Sequence, residues 1–400
     1  MTVIFSLAFL SGVFLLWRYL PEGRVRRVIS GRTLSVVLIA AMSVMTAVEG
    51  TWGTALHRNP AFWAVALLMM LSLGFDVLDC LRRKSGFVRT VSHAGMFLLV
   101  FGAFWGAPDF VDVQMVVGRE HAENLAYSRG GDAVFLPFGV ALEEFKTDYY
   151  EDGVSPKQYR STLLIEGRRL ETGVNHPCRY KGYRIYQADF DHEAGEYSIL
   201  KLVRDPWLPL VFIGMALLAA GALAGLGLNW NNRYLTLAFV VAAIVFTLIS
   251  VARINFGTLM PALRSLWFIP HLALYMLAYS ALALALVTGI LPVFGVRGGR
   301  LGPLSGKLSG SASSLLLLGM LCGAVWAKIA WGDWWTWDSK ECWAAVTWML
   351  TLAGSHLPEM MRGRRTAVLI CILLAFLAMQ VAWYGVDYLP AAQSSMHAYR

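Results

Sequence analysis

The residue types best suited to chemistry crowd into the last quarter of the chain. Trp326, Trp331, Trp334, Trp335, Trp337, Trp343 and Trp348, seven of the fifteen tryptophans, fall within 23 positions. The run Trp331-Gly332-Asp333-Trp334-Trp335-Thr336-Trp337-Asp338-Ser339-Lys340-Glu341 sets indoles among acids and a lysine. Flat apolar faces beside a few fixed charges suit a large planar aromatic ligand with ionisable edges, held by burial and stacking. A porphyrin is such a ligand. An interfacial aromatic belt also gathers tryptophan at headgroup level, but it fits poorly to indoles mixed with acids and a lysine over eleven residues.

Four of the eight histidines sit at or beyond the ends of apolar runs: His93, His356, His271 and His397. Imidazole is an axial ligand of haem iron, and ionisable groups at membrane depth are commonly functional. A histidine at a helix end can equally be an interfacial side chain satisfied by hydrogen bonds, and spacing alone leaves both readings open. His57, His121, His176 and His192 read as loop or surface residues. The five cysteines, Cys80, Cys178, Cys322, Cys342 and Cys371, contain no CxxC pair and no zinc or disulfide spacing. The His176-Pro177-Cys178 neighbourhood is a weak metal signal.

Composition decides the solvent in which these residues are positioned. At 57% hydrophobic, 15% charged and a mean hydropathy of +0.55, the 400-residue chain is far more apolar than a soluble domain, for which about 45–50% apolar and about 25% charged are usual. Disordered, collagenous and disulfide-scaffold classes are excluded. A formal charge of +8 would suggest nucleic acid in a soluble protein. In a membrane protein Lys and Arg mark cytoplasmic loops instead, so no nucleic-acid partner is expected.

Apolar runs near 3–20, 33–50, 61–79, 92–107, 206–228, 234–251, 269–292, 313–330, 343–357 and 366–386 make ten candidate spans, against the roughly 20 residues that a bilayer-crossing helix needs. Two of them, 92–107 and 343–357, are short. When the loops are assigned alternately to the two sides, fifteen basic residues fall on one side, including Arg24, Arg26, Arg27, Arg32 and Arg362, and five on the other. The first side is cytoplasmic. That alternation puts His93 and His356 at the inner face, and His271, His397 and the tryptophan run at the outer face. Residues 108–205, polar and rich in Tyr and Gly, become an extracytoplasmic domain whose alternating segments 182–187 and 197–203 read as strands. The first apolar run reads as a span rather than a signal peptide, because its basic cluster follows it and no small-residue cleavage site is evident. The expected fold is an all-α polytopic membrane protein with about ten transmembrane helices and one small β-rich extracytoplasmic domain.

The segment WGDWWTWDSKECWAAVTW, Trp331 to Trp348, closely resembles the tryptophan-rich WWD signature of haem-handling membrane proteins in cytochrome c maturation. Ser265-Leu266-Trp267, His271 and Met276-Leu277-Ala278-Tyr279 upstream, with His397-Ala398-Tyr399 downstream, are similar to the outer histidine motifs of the CcsA (ResC) branch. His356 matches the membrane histidine of that branch. In the first half, His93-Ala94-Gly95, Tyr183-Arg184-Ile185-Tyr186-Gln187, Ser198-Ile199-Leu200 and Arg204-Asp205-Pro206 resemble CcsB (ResB) proteins. The resemblance covers nearly the whole chain, as a fusion of both partners in a system II cytochrome c synthase.

This resemblance implies ResB-like membrane helices over 1–107 with an extra first span, an extracytoplasmic domain over 108–205, a last ResB-like span over 206–228, and a CcsA-like haem-handling domain over 234–400 with the WWD loop at 326–348. It implies that haem b, a transiently bound substrate, is held first by His93 and His356 and then by His271 and His397, with Trp331, Gly332, Trp334 and Trp337 against the macrocycle. It implies a catalytic platform of Trp331, Trp334, Trp335, Trp337 and Asp338. Its partners would be an apocytochrome c carrying a Cys-x-x-Cys-His motif, thiol-reducing maturation proteins and membrane lipid, and its place the bacterial cytoplasmic membrane with the site facing outward. The fused proteins generally have a larger extracytoplasmic domain and a last span after the second outer histidine. Residues 3–20 are therefore expected to pack where that last helix would lie. Two other functions share the tryptophans: a haem exporter or chaperone serving a separate ligase, and a lipid-linked saccharide transferase or transporter that stacks sugars on indoles. The second leaves the four histidines unexplained.

Overall fold

The computed structural model describes residues 2–84, 86–191, 195–226, 259–296 and 301–391, with isolated positions between 240 and 248 and position 299. The chain opens with α1 (Thr2–Tyr19), the short α2 (Arg24–Ile29), α3 (Arg32–Trp52), α4 (Pro60–Arg83) and α5 (Phe87–Gly106). After a sheet come α6 (Leu208–Leu226), α7 (Phe268–Ile290), α8 (Leu301–Ala330), α9 (Ser339–His356) and α10 (Arg364–Gln380). Among the described residues, eight helices are long and apolar enough to cross a membrane: α1, α3 to α8 and α10. The short run 92–107 belongs to a longer helix that starts at Phe87. The run 343–357 lies in α9, which opens on Lys340 and Glu341 and is not among the eight. The expected span 234–251 lies largely outside the described residues.

Small residues set the closest helix crossings, as expected where apolar lipid gives helices no hydrophobic reason to associate and close packing must hold them. At Gly95 of α5 a Cβ would come within 2.7 Å of the Leu218 backbone nitrogen of α6, and at Gly214 within 2.9 Å of that of Leu99. At Gly50 of α3 it would meet Cys342 Cβ of α9 at 2.5 Å. The main membrane core joins α7, α8 and α10 through Met276, Leu282, Leu316, Ile372 and Met379. The first helix packs elsewhere. Val13 of α1 rests on Gly74 of α4, Phe9 stacks near Phe101 of α5, and Trp17 donates to Asp79 of α4 at 2.9 Å. Among the described residues it packs chiefly on α4 and α5, rather than on the helices of residues 313–386 beside which it was expected.

Eight antiparallel strands follow α5: β1 (Val111–Gly118), β2 (Glu123–Ser128), β3 (Ala133–Tyr149), β4 (Pro156–Ile165), β5 (Arg168–Gly173), β6 (Cys178–Tyr180), β7 (Tyr183–Phe190) and β8 (Tyr197–Arg204). Their order is β5-β4-β3-β2-β1-β8-β7-β6. Thr172 of β5 donates to the Ile185 carbonyl of β7 at 2.7 Å and Gly173 bridges His176, so the sheet curls toward closure. Alternation puts Val113, Met115 and Val117 of β1 and Leu200 and Leu202 of β8 into one enclosed core. Lys201 and Val203 of β8 and Tyr186 of β7 are buried too. They occupy the other face, which rests on the loop between α8 and α9.

Replacing Gly50 by leucine drives a side chain into Cys342 and should destabilise the α3–α9 crossing by about 1–3 kcal/mol. Gly86→Leu, with nothing within 4 Å of the new Cβ, is the control. Thermal unfolding of the detergent-solubilised protein should separate the two.

Candidate functional site

The tryptophan run is an irregular loop, residues 331–338, between the end of α8 and the start of α9. Buried polar groups on an irregular loop must find their partners within the protein, and the sheet supplies them. Asp333, 8% exposed, accepts from Lys201 at 2.7 Å and from Arg129 at 2.6 Å. Asp112 of β1 takes the other side of both cations, at 3.5 Å from Lys201 and 2.7 Å from Arg129. Burial pulls the Arg129 guanidinium down, but Asp333 and Asp112 outweigh it and hold the group above its usual range. Tyr186 donates to the Lys328 carbonyl at 2.9 Å, and burial raises its phenol. Gly332 adopts φ +88°, where a Cβ would strike the Tyr186 ring at 2.9 Å. Lys328, 1% exposed, donates to the Gly332 carbonyl at 2.9 Å and stands 5.4 Å from the centre of the Trp334 ring.

The loop closes on a capping box. Asp338 caps α9 through the Lys340 amide at 2.8 Å, and Glu341 reaches back to Thr336 and Asp338. The signature Asp-x-x-Glu is readable in the sequence. Asp333 therefore ties the loop to the sheet, while Asp338 and Glu341 fold its end onto α9.

Over the loop lies a cavity of about 440 Å³, within the size range of small-molecule and cofactor sites. Trp331, Trp334 and Trp335 line it, with Trp326, Trp383, Tyr275, Tyr279, Lys340, Glu341 and His271. Of the residues expected against the macrocycle, Gly332 and Trp337 are not in the lining, and neither is Asp338 of the expected catalytic platform. Gly332 faces the sheet, Asp338 is the helix cap, and Trp337 stacks on His57 with ring centres 4.8 Å apart. His271 opens α7 and engages the Gly319 carbonyl through Nδ1 at 2.8 Å, with Gly323 so close that a Cβ would lie 2.7 Å from the ring. His397 lies outside the described residues.

The second pair of expected ligands meets at the opposite ends of the helices. His93, near the start of α5, and His356, at the end of α9, bring their ring centres to 6.0 Å. His93 Nδ1 bonds the Asp76 carboxylate of α4, which also pairs with Arg89. His356 Nδ1 bonds the Leu352 carbonyl at 2.9 Å. The three described candidate ligands, His93, His271 and His356, thus each have Nδ1 held by an oxygen. A neutral imidazole so held carries its lone pair on Nε2, the usual arrangement for a metal-ligating histidine. Asp76, Lys328 and His57 were not singled out from sequence. Nothing local marks them, since each gains its role from a partner on another element. Asp76, Cys80 and His93 also place three potential metal-ligating atoms within 4.8 Å of one another, although Asp76 is already committed to His93 and Arg89. Cys178 is different: burial pushes its thiol up to about 11, so it stays protonated at neutral pH.

The architecture defines a multi-pass helical membrane protein with a curled antiparallel sheet seated on a tryptophan-lined cavity. Residues 207–392 match the family described as Cytochrome C assembly protein, and residues 85–199 match the ResB-like family. Among curated proteins the chain is 32% identical over 170 residues to the cytochrome c biogenesis protein CcsA of Prochlorococcus marinus strain MIT 9312, covering 33% of this chain and 54% of that protein. It is 28% identical over 212 residues to CcsA of Guillardia theta, covering 42% and 68%. The chain spans about half the length of most of the curated relatives it matches. It thus joins a segment similar to ResB-like proteins to one similar to cytochrome c assembly proteins, the pairing its motifs lead one to expect.

Asp333→Leu leaves Lys201 and Arg129 competing for Asp112 and should cost roughly 2–3 kcal/mol, somewhat less than a fully broken buried pair. Limited proteolysis should then cut within 331–338, and adding Lys201→Met should recover part of the loss.

Proposed function

We propose that this protein moves haem b from the cytoplasmic to the outer side of the bacterial cytoplasmic membrane and attaches it there to apocytochrome c. The observation that carries the reading is the shared posture of His93, His356 and His271. Each has Nδ1 bonded to a carbonyl or carboxylate, two of them form a close pair at one end of the helices, and the third lines an indole-walled cavity at the other. The excess of basic residues in the loops at the paired end supports putting that end in the cytoplasm. Haem is ligated there by His93 and His356, then by His271 and His397 over Trp331, Trp334 and Trp335.

In this reading residues 1–107 and 206–228 are the ResB-like membrane part, 108–205 the outer domain, and 234–400 the haem-handling part. The apocytochrome presents Cys-x-x-Cys-His. Each thiol adds across one haem vinyl group, its sulfur bonding to one vinyl carbon and its hydrogen ending on the other, so no net oxidation occurs. The motif's histidine replaces one protein ligand. The chain's own residues contribute position and exclusion of water, because thiol and vinyl need proximity more than an acid or base. Lys340 supplies a cation at the cavity wall for the carboxylate edge of haem. Thiol-reducing proteins would keep the substrate cysteines competent.

A haem chaperone serving a separate ligase is the second reading, favoured by the cavity alone. Co-expression with an apocytochrome c in cells lacking any maturation system separates the two: covalent haem on the cytochrome supports synthesis, and haem co-purifying without attachment supports the chaperone. His271→Gly or His397→Gly should lower attachment, with partial rescue by imidazole. His93→Ala, His356→Ala and the positioning change Asp76→Leu should cut total haem content, about tenfold for Asp76→Leu. Wild-type spectra and yield across all of these would refute the ligand assignment.

A further inference from the structure

Trp337 is the one tryptophan of the 331–338 loop that does not line the cavity, and its backbone is strained. It adopts φ +62°, in the left-handed region that a bulky side chain avoids. A conformation of this kind persists only where its surroundings over-determine it, and those surroundings come from the first part of the chain. His57 lies flat on the indole, with ring centres 4.8 Å apart and planes 6° from parallel. Phe62, in the first turn of α4, meets the same indole edge-on at 5.3 Å. The other edge contact of Trp337 is Trp335, at 6.1 Å and 85°, and Trp335 lines the cavity.

His57 is itself held. Glu49, in the last turn of α3 and 4% exposed, accepts from His57 Nδ1 at 3.1 Å, from the Leu56 amide at 2.5 Å and from Thr54 at 3.4 Å. The turn between α3 and α4 wraps this carboxylate with Gly53 and Ala55 both at positive φ. One residue beyond Glu49, Gly50 lets α3 touch Cys342 of α9, and the Cys342 thiol donates to the Trp337 carbonyl at 3.4 Å. The ring of Trp337 is thus held by the turn after α3 and by Phe62 of α4, and its carbonyl by Cys342 of α9, against which α3 packs. This stretch precedes the residues matched to either family.

We propose that Glu49 and His57 are positioning residues for the haem platform: they clamp Trp337 in its left-handed conformation and thereby hold Trp335 edge-on against the cavity. The proposal rests on the reading of that cavity as the haem site. A buried carboxylate aims the imidazole, the imidazole fixes one indole by its face, and that indole fixes the next by its edge. A helix outside the haem-handling half thereby completes the platform.

The test uses the full chain in detergent micelles, titrated with dithionite-reduced haemin and followed by the Soret band and by tryptophan quenching. His57→Ala and Glu49→Leu should keep the wild-type elution profile, bind about three- to tenfold more weakly, the effect of one lost aromatic stack, and shift the Soret maximum of the complex. His57→Phe, which keeps a flat ring of similar size, should bind within about twofold of wild type, whereas His57→Gln should not. His271→Ala is the reference for the site. If His271→Ala loses haem while His57→Ala binds as wild type, or if His57→Phe is as defective as His57→Ala, the clamp is overturned and the cavity reading stands. If neither His271→Ala nor His57→Ala changes binding, the cavity reading falls and the clamp with it.

Discussion

The seam at Asp333 is the contact on which the rest of the site depends. Eight residues of irregular backbone between α8 and α9 carry the indoles, and nothing in an isolated loop would give three of those rings a common cavity. A buried carboxylate shared by Lys201 and Arg129, with Asp112 behind both cations, fixes the loop to β8 and β1. Asp333, Asp112 and Lys201 are costly to bury alone and are retained because they are paired, while Arg129 joins them from the half-exposed edge. The loop, the sheet and the end of α8 therefore order together. The left-handed Gly332, pressed against Tyr186 and Val203, is the point where the backbone comes closest to the sheet.

From that seam the helices carry functional groups in two directions. α9 begins beside the indole loop and ends at His356, and α7 carries His271 in its first turn, in the lining of the same cavity. α5 runs the other way, from His93 near its start to the sheet at its end. Antiparallel packing thus places His93 beside His356 although the two are far apart in sequence. At two other crossings, Gly95 and Gly214 between α5 and α6 and Gly319 and Gly323 between α7 and α8 stand where a Cβ would strike backbone or ring. Close crossings of this type are how helices associate in a solvent as apolar as their own side chains.

Much of this was legible in the sequence, for reasons that differ by element. Apolar run length locates α1, α3, α4, α6 and α7 to within a few residues, because a bilayer imposes one length on every crossing. Strict alternation locates β7 and β8. It fails to foretell that both faces of β8 are buried, since Lys201 looks solvent-facing until Asp333 is placed against it. The cap at Asp338 is a local signature and readable as such. The first helix shows the opposite case: its hydropathy announces a span but carries no information on which helices it will touch.

The site divides along the same line. Sequence alone determined that the chain lives in a membrane, that a sheet interrupts its helices, that tryptophans and acids concentrate in one loop, and that particular histidines stand at helix ends. Each of these follows from period, run length or composition, which are properties of contiguous residues. Only the tertiary structure decided that Trp331, Trp334 and Trp335 face the cavity while Trp337 turns to His57, that Asp76 aims His93, and that Lys328 stands over Trp334. A loop has no period from which to read direction, and a side chain's partner on another element is set by packing, which no local pattern encodes.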